Sequence, residues 1–186
     1  MQTLNPPKTN PMNCNQLDVY DRFKIRIDEN GRIIFADDNF LRFTGMEIDD
    51  IVGEDFSTLL TGEFQNGHYQ DILFPVMKDK NKLYFIMSGR TKDGNCYWAL
   101  VRSTHYRGVD GSGPKFLWEL KMLPQSVIPQ LKELFDKLVE ITNNAGHEYA
   151  IKYFMGYMED KGISFDQIAT SMLGTKEKKL DKYFKI

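Results

Sequence analysis

Two glycine-marked turns constrain what this chain can fold into. Asn30-Gly31 and Asp93-Gly94 each separate two runs of apolar residues. Asn-Gly and Asp-Gly supply the positive backbone angles of a tight β-hairpin, so each pair predicts two antiparallel neighbours. Before the first turn, Phe23, Ile25 and Ile27 alternate with Lys24, Arg26 and Asp28. That is the period of a strand with one buried face. Ile33 to Ala36 is the returning strand. Leu83 to Thr91 and Cys96 to Tyr106 flank the second turn. After the glycine-rich loop 108–114, Phe116 to Met122 gives a fifth strand, ended by Pro124.

Between the hairpins the chain reads as short helices. Asp38 to Phe43 is stopped by Thr44-Gly45, and Glu47 to Val52 by Gly53. In both, glycine stands where a helix end takes a left-handed residue. Glu54 to Leu60 reads as another short turn. Ile72, Leu73, Val76 and Met77 give Gln70 to Lys78 a helical spacing, interrupted by Pro75. Strand hairpins with helices gathered between them predict an α+β fold, not a parallel sheet.

The C-terminal third has a different texture. Leu131, Leu134, Phe135, Leu138 and Ile141 form one apolar helical stripe, ended by Asn143-Asn144-Ala145-Gly146. A second helix over 147–161 presents Ile151, Phe154, Met155 and Met158. Ser164 to Gln167 has capping-box form for a third, which would bury Phe165, Ile168, Ala169 and Met172. Lysines 176, 178, 179, 182 and 185 then mark a solvated tail. The expected organisation is a flexible leader over 1–19, rich in Asn and Pro, and a main domain over 20–124. A helical extension over 125–174 and a basic tail over 175–186 follow.

Composition narrows the function. Lys and Arg total 24 against 26 Asp and Glu, a net charge of -2 that gives no broad attraction to nucleic acid. No apolar run is long enough to cross a bilayer, so no membrane insertion is expected. Cys14 and Cys96 suggest neither a disulfide framework nor a metal pair, which favours a reducing, cytoplasmic setting. His68, His105 and His147 have no metal-ligand spacing. No catalytic motif is present, so no catalytic and no metal-binding residues are assigned and the chain reads as a non-enzyme. A small-molecule enzyme is the remoter alternative.

Two segments carry a family resemblance. FKIRIDENGRIIFADDNFLRFTGMEIDDIVGEDFSTLL (Phe23 to Leu60) resembles the opening of PAS domains, with strand, turn, strand and an N-x-x-F-x-x-x-T-G-like helix. GRTKDGNCYWALVRS (Gly89 to Ser103) resembles their late hairpin. Within the family the late segment looks most like the PAS domains of bacterial energy-taxis receptors of the Aer type. The resemblance implies a five-stranded antiparallel sheet with short central helices, followed here by the helical extension. It also implies a cytoplasmic sensory module acting through a protein partner (a receptor, a kinase or another signalling protein) and pairing as a homodimer. Phe43, Phe74, Trp98 and Trp118 belong to elements that, in this frame, enclose the space between sheet and helices. They are the candidate walls of a cofactor cavity. No cofactor is assigned, and flavin adenine dinucleotide (FAD) in a redox sensor is the alternative. Asp37 stands where that group has Asn, and Thr61-Gly62-Glu63-Phe64 stands near its basic stretch, where Glu63 would repel a pyrophosphate.

Overall fold

The computed structural model describes residues 22–61, 68–108, 113–123 and 125–160, with isolated positions 162, 167, 170 and 184. The leader, most of the third C-terminal helix and most of the basic tail lie outside the described residues, as do Gly62, Glu63 and Phe64.

Five strands form one antiparallel sheet: β1 (Arg22–Ile27), β2 (Ile33–Ala36), β3 (Lys82–Arg90), β4 (Cys96–Arg107) and β5 (Pro114–Met122), in the order β2-β1-β5-β4-β3. The two hairpins thus lie at opposite ends of the sheet, and β5 joins them. At both marked turns the glycine is left-handed, with φ of 86° at Gly31 and at Gly94, whereas Asn30 and Asp93 do not take positive φ, so the turns are longer than two-residue hairpins. The helices are α1 (Asp38–Thr44), α2 (Ile48–Ile51), a single 3₁₀ turn (Phe56–Leu59) and α3 (His68–Asp79), which carries Pro75 inside it. Asp37 caps α1 by accepting the Phe40 N–H at 2.8 Å. Its other oxygen accepts the Lys24 N–H at 2.9 Å, tying the helix to β1. Asp at this position therefore has a structural use.

The register divides side chains cleanly between two faces. Phe23, Ile25 and Ile27 share the inner face with Leu120, Trp118 and Phe116 directly opposite them. Ala99, Val101 and Ser103 continue that face onto β4, and Met87, Phe85 and Leu83 onto β3. The central helices cover it with Phe40, Ile51, Phe56, Leu59, Leu73 and Met77, all buried.

The outer face is covered over β3 and β4. The helices α4 (Ile128–Ala145) and α5 (His147–Asp160) pack against each other, and α5 also contacts α3. Phe135 of α4 meets Trp98 with ring centres 5.5 Å apart, and Tyr84, Ile86 and Leu100 are buried on the same face. Each such side chain contributes about 1.5–3 kcal/mol on burial, so the helical pair completes the fold rather than decorating it. Phe184 is 2% exposed, against Tyr84 and beneath the Arg102 guanidinium, where the lysine pattern had predicted only a solvated tail. Cys96 is disulfide-bonded, its partner outside the described residues. Cys14 and Cys96 had suggested no disulfide because they stand far apart in sequence, and this bond corrects that reading.

Candidate functional site

The inner face carries an aromatic cluster. Trp118 lies between Phe56 and Phe85, each edge-on to it with ring centres 5.0 and 5.1 Å away. Phe74 stacks on Phe56 at 5.7 Å with its plane tilted only 11°, and meets Phe116 at 5.6 Å. His105 stacks on Phe116 at 5.2 Å. The strands explain the grouping: Trp118 is opposite Ser103 and Phe116 is opposite His105, so the indole and the imidazole are diagonal neighbours on one face.

Two polar atoms inside this cluster lack partners. Trp118 Nε1 and His105 Nε2 are buried and meet no donor or acceptor. A buried polar group left unpaired costs about 1–3 kcal/mol, so each of these two atoms would gain from a hydrogen-bonding partner. A guest with an acceptor answers the indole N–H, and a small molecule with both functions answers the pair.

Among the described residues, one hollow borders the cluster and a second lies apart from it. One, about 410 Å³, is lined by Asn30, Gly31, Asp55, Phe56, Phe74 and Lys78, among others. The stacked Phe56 and Phe74 rings separate it from Trp118 and Phe116. The other, about 660 Å³, lies between the end of α1 and the β3–β4 turn, with Arg42 and Lys92 among its lining and Phe43 and Tyr97 as its aromatic walls. Here Tyr97 has a third unpartnered polar atom, its hydroxyl, and burial pushes that hydroxyl well above the ordinary tyrosine range. The ring lies over Gly89 of β3 so closely that a Cβ there would collide with it.

The four residues singled out from the sequence separate in the structure. Trp118 is in the cluster, and Phe74 is both in it and on the wall of the smaller hollow. Phe43 walls the larger hollow, stacked on Phe23 and edge-on to Tyr97. Trp98 stands on the opposite face of the sheet, against α4, and borders neither hollow. Phe56, Phe85, Phe116 and Tyr97 complete the sites without having been singled out. Phe116 could have been found by alternation from Trp118, two residues along the same strand, whereas Tyr97 lies in the unbroken buried run of β4, where alternation gives no phase. Phe56, on a 3₁₀ turn, had no periodic signal. Side chains of His68 and His147 lie outside the described residues. Among the described residues, no group of His, Cys, Asp and Glu is placed to hold a metal ion, and no helix is long and apolar enough to cross a membrane.

A PAS domain profile matches residues 23–120, more than half of the chain. The chain belongs to the PAS family, whose members are in general sensory and signalling modules. Similar solved structures include a light-oxygen-voltage domain studied with a flavin analogue, 14% identical, with 62% of this chain and 87% of that one covered and a TM-score of 0.49. A tryptophan-to-alanine variant of Drosophila melanogaster Cycle PAS-B with bound glycerol is 16% identical, with 54% and 99% covered and a TM-score of 0.47. The PAS domain of an HTR-like protein from Haloarcula marismortui is 14% identical, with 56% and 88% covered and a TM-score of 0.46. No curated protein matches the chain.

Proposed function

We propose that this protein is a sensory PAS module that holds a small polar guest against Trp118 and His105 and signals through the packing of α4 and α5. The observation that carries the reading is the pair of unpartnered buried nitrogens in an otherwise apolar interior. Strands β3 and β4 supply the link. They turn Phe85 and His105 to the inner face and Tyr84 and Trp98 to the outer one, where Trp98 meets Phe135. A guest that shifts the inner side chains moves backbone shared with the outer packing, and the output is a changed contact with a protein partner or a second copy.

FAD is the finer alternative drawn from the resemblance to energy-taxis receptors. Among the described residues, the inner-face positions of the strands carry no Arg or Lys to meet a pyrophosphate except Arg107, which is exposed at the far end of β4. Arg42 and Lys92 stand beside the larger hollow instead, and Lys92 is paired with Asp50 at 3.0 Å. The described interior therefore suits a compact guest better than a dinucleotide.

The test is mass spectrometry of what heat releases from freshly purified protein, with an absorption spectrum taken beforehand. A small colourless molecule, lost from Trp118→Phe protein, supports the compact guest. Flavin absorption and released FAD would replace that reading with the redox sensor. Protein that releases nothing and gains no thermal stability across a library of small polar compounds would refute the interior site.

A further inference from the structure

Helix α5 is covered on one face only. Ala150, Phe154 and Met158 recur at every fourth residue and are buried. The opposite face carries three rows of exposed residues, each spaced at i and i+7. Tyr149 and Gly156 run down its centre, Lys152 and Glu159 along one side, and Tyr153 and Asp160 along the other. Tyr149 is 60% exposed and Tyr153 42%, and the two rings are neighbours one turn apart. Lys152 lies over the Tyr149 ring, 5.5 Å from its centre, which keeps the ammonium on this face.

Gly156 leaves bare backbone in the middle of these rows. A Cβ there would meet nothing within 4 Å, so no contact inside the chain excludes a side chain. Glycine inside a helix lowers its stability relative to alanine, and what it offers is an approach to the backbone that a side chain would block. The charges are ordered about this point. Lys152 stands one turn before Gly156, and Glu159 and Asp160 stand one turn after it.

That order suits a second copy of the same helix. In an antiparallel helix pair, each side of one helix faces the same side of the other, with the chain direction reversed. Two α5 helices crossing at Gly156 therefore bring Lys152 of one copy to Glu159 of the other, twice over. On the other side, the Tyr153 hydroxyl of each copy meets Asp160, which can accept from it. The glycines meet at the crossing, where neither chain has a side chain to hold the backbones apart. Parallel copies would instead set Lys152 against Lys152 and Glu159 against Glu159.

We propose that this face of α5 is a self-association surface through which two copies of the chain pair antiparallel. A twofold axis requires a surface that complements itself, and the ordered charges supply one. A membrane surface is a poor match, because Glu148, Glu159 and Asp160 would face anionic headgroups. One short helix per copy makes a small interface, so dissociation is on the order of micromolar. The proposal rests on the reading above only in taking a second copy as the output contact, and it requires no guest in the interior.

The test is sedimentation velocity of the full chain over a concentration series through the micromolar range. Wild-type protein is expected to pass from monomer to dimer. Gly156→Leu places a side chain at the crossing, where the single chain has room for it, and is expected to abolish the dimer without lowering Tm. Lys152→Glu is expected to weaken the dimer about tenfold, through the loss of two exposed pairs related by symmetry. Antiparallel pairing has its own signature, rescue in trans. Lys152→Glu protein mixed with Glu159→Lys protein should regain the wild-type affinity, because the mixed dimer contains both opposite-charge pairs. Wild type that stays monomeric overturns the proposal, as does a dimer that Gly156→Leu and Lys152→Glu leave intact or that the mixture does not restore. Monomeric wild type that co-sediments with phosphatidylserine vesicles overturns it in favour of a membrane. A dimer formed by protein that releases no guest on heating refutes only the interior site, whereas a monomer that releases a guest refutes only this interface.

Discussion

Tyr97 shows how much a single buried atom can set. Its hydroxyl is enclosed and unpartnered, and its ring is fixed between Phe43 and the bare backbone of Gly89. Tyr97→Phe removes the unsatisfied group and keeps the ring, so it is expected to raise stability at neutral pH by about 1 kcal/mol, read as a higher urea midpoint. The pH dependence follows from the same burial. A hydroxyl whose folded pKa burial raises above the ordinary tyrosine value of 10.0 favours the folded state while it stays protonated. That contribution is complete below the unfolded value and is lost as pH rises from there through the folded one. Wild-type protein should therefore lose stability above pH about 10 more steeply than Tyr97→Phe. Urea unfolding on either side of that pH checks it, and parallel curves would mean that Tyr97 reaches water before the fold opens.

At the level of elements, the hairpins and the helix stops were legible because glycine leaves a stereochemical mark. Gly31, Gly45, Gly53 and Gly94 all take positive φ where their neighbours in sequence required it. The face on which Trp98 lies was not legible, for a physical reason. Residues 83–89 of β3 and 96–101 of β4 are buried without a break, because helices cover both sides of that hairpin. Polarity then no longer labels the two faces, and period two disappears from the sequence. On β1, where one face is bare, the alternation of Phe23, Ile25 and Ile27 with charged residues is plain. The apolar stripe of α4 was equally plain, but a stripe says that a helix is covered and not by what. Its match with Trp98 yields an expectation. Phe135→Ala should cost about 3 kcal/mol and shift the fluorescence of Trp98 to the red, the latter absent from a Trp98→Phe background. A chain truncated after Leu123 should bind a hydrophobic dye and self-associate, because Trp98, Leu100, Ile86 and Tyr84 lose their cover together. A truncated chain that stays monomeric and silent to the dye would show that the pair is dispensable to the sheet.

Over the whole molecule, the proposed function places sensing and output on the two faces of one sheet. Its inner face holds Trp118 and His105 with unpaired nitrogens, and its outer face holds the α4–α5 pair. Sequence reasoning reached Trp118 and Phe74 through the family frame, and it missed the unpaired atoms because hydrogen-bond satisfaction belongs to three-dimensional packing alone. Strands transmit strain well because close-packed interiors resist compression, so a change at Trp118 should be felt across β4. Trp118→Phe removes the indole N–H and some volume, and hydrogen exchange can then follow each element separately. The expected result is faster exchange in α4 around Phe135 as well as in β4 and β5. Phe40→Leu on α1, buried with its ring against Phe23, serves as the comparison because it lowers stability at a residue outside the cluster. Once both profiles are scaled for global stability, α4 should remain selectively loosened in Trp118→Phe alone. Coinciding profiles would mean that α4 reports only on overall unfolding, and the sheet would then be a scaffold between two independent faces.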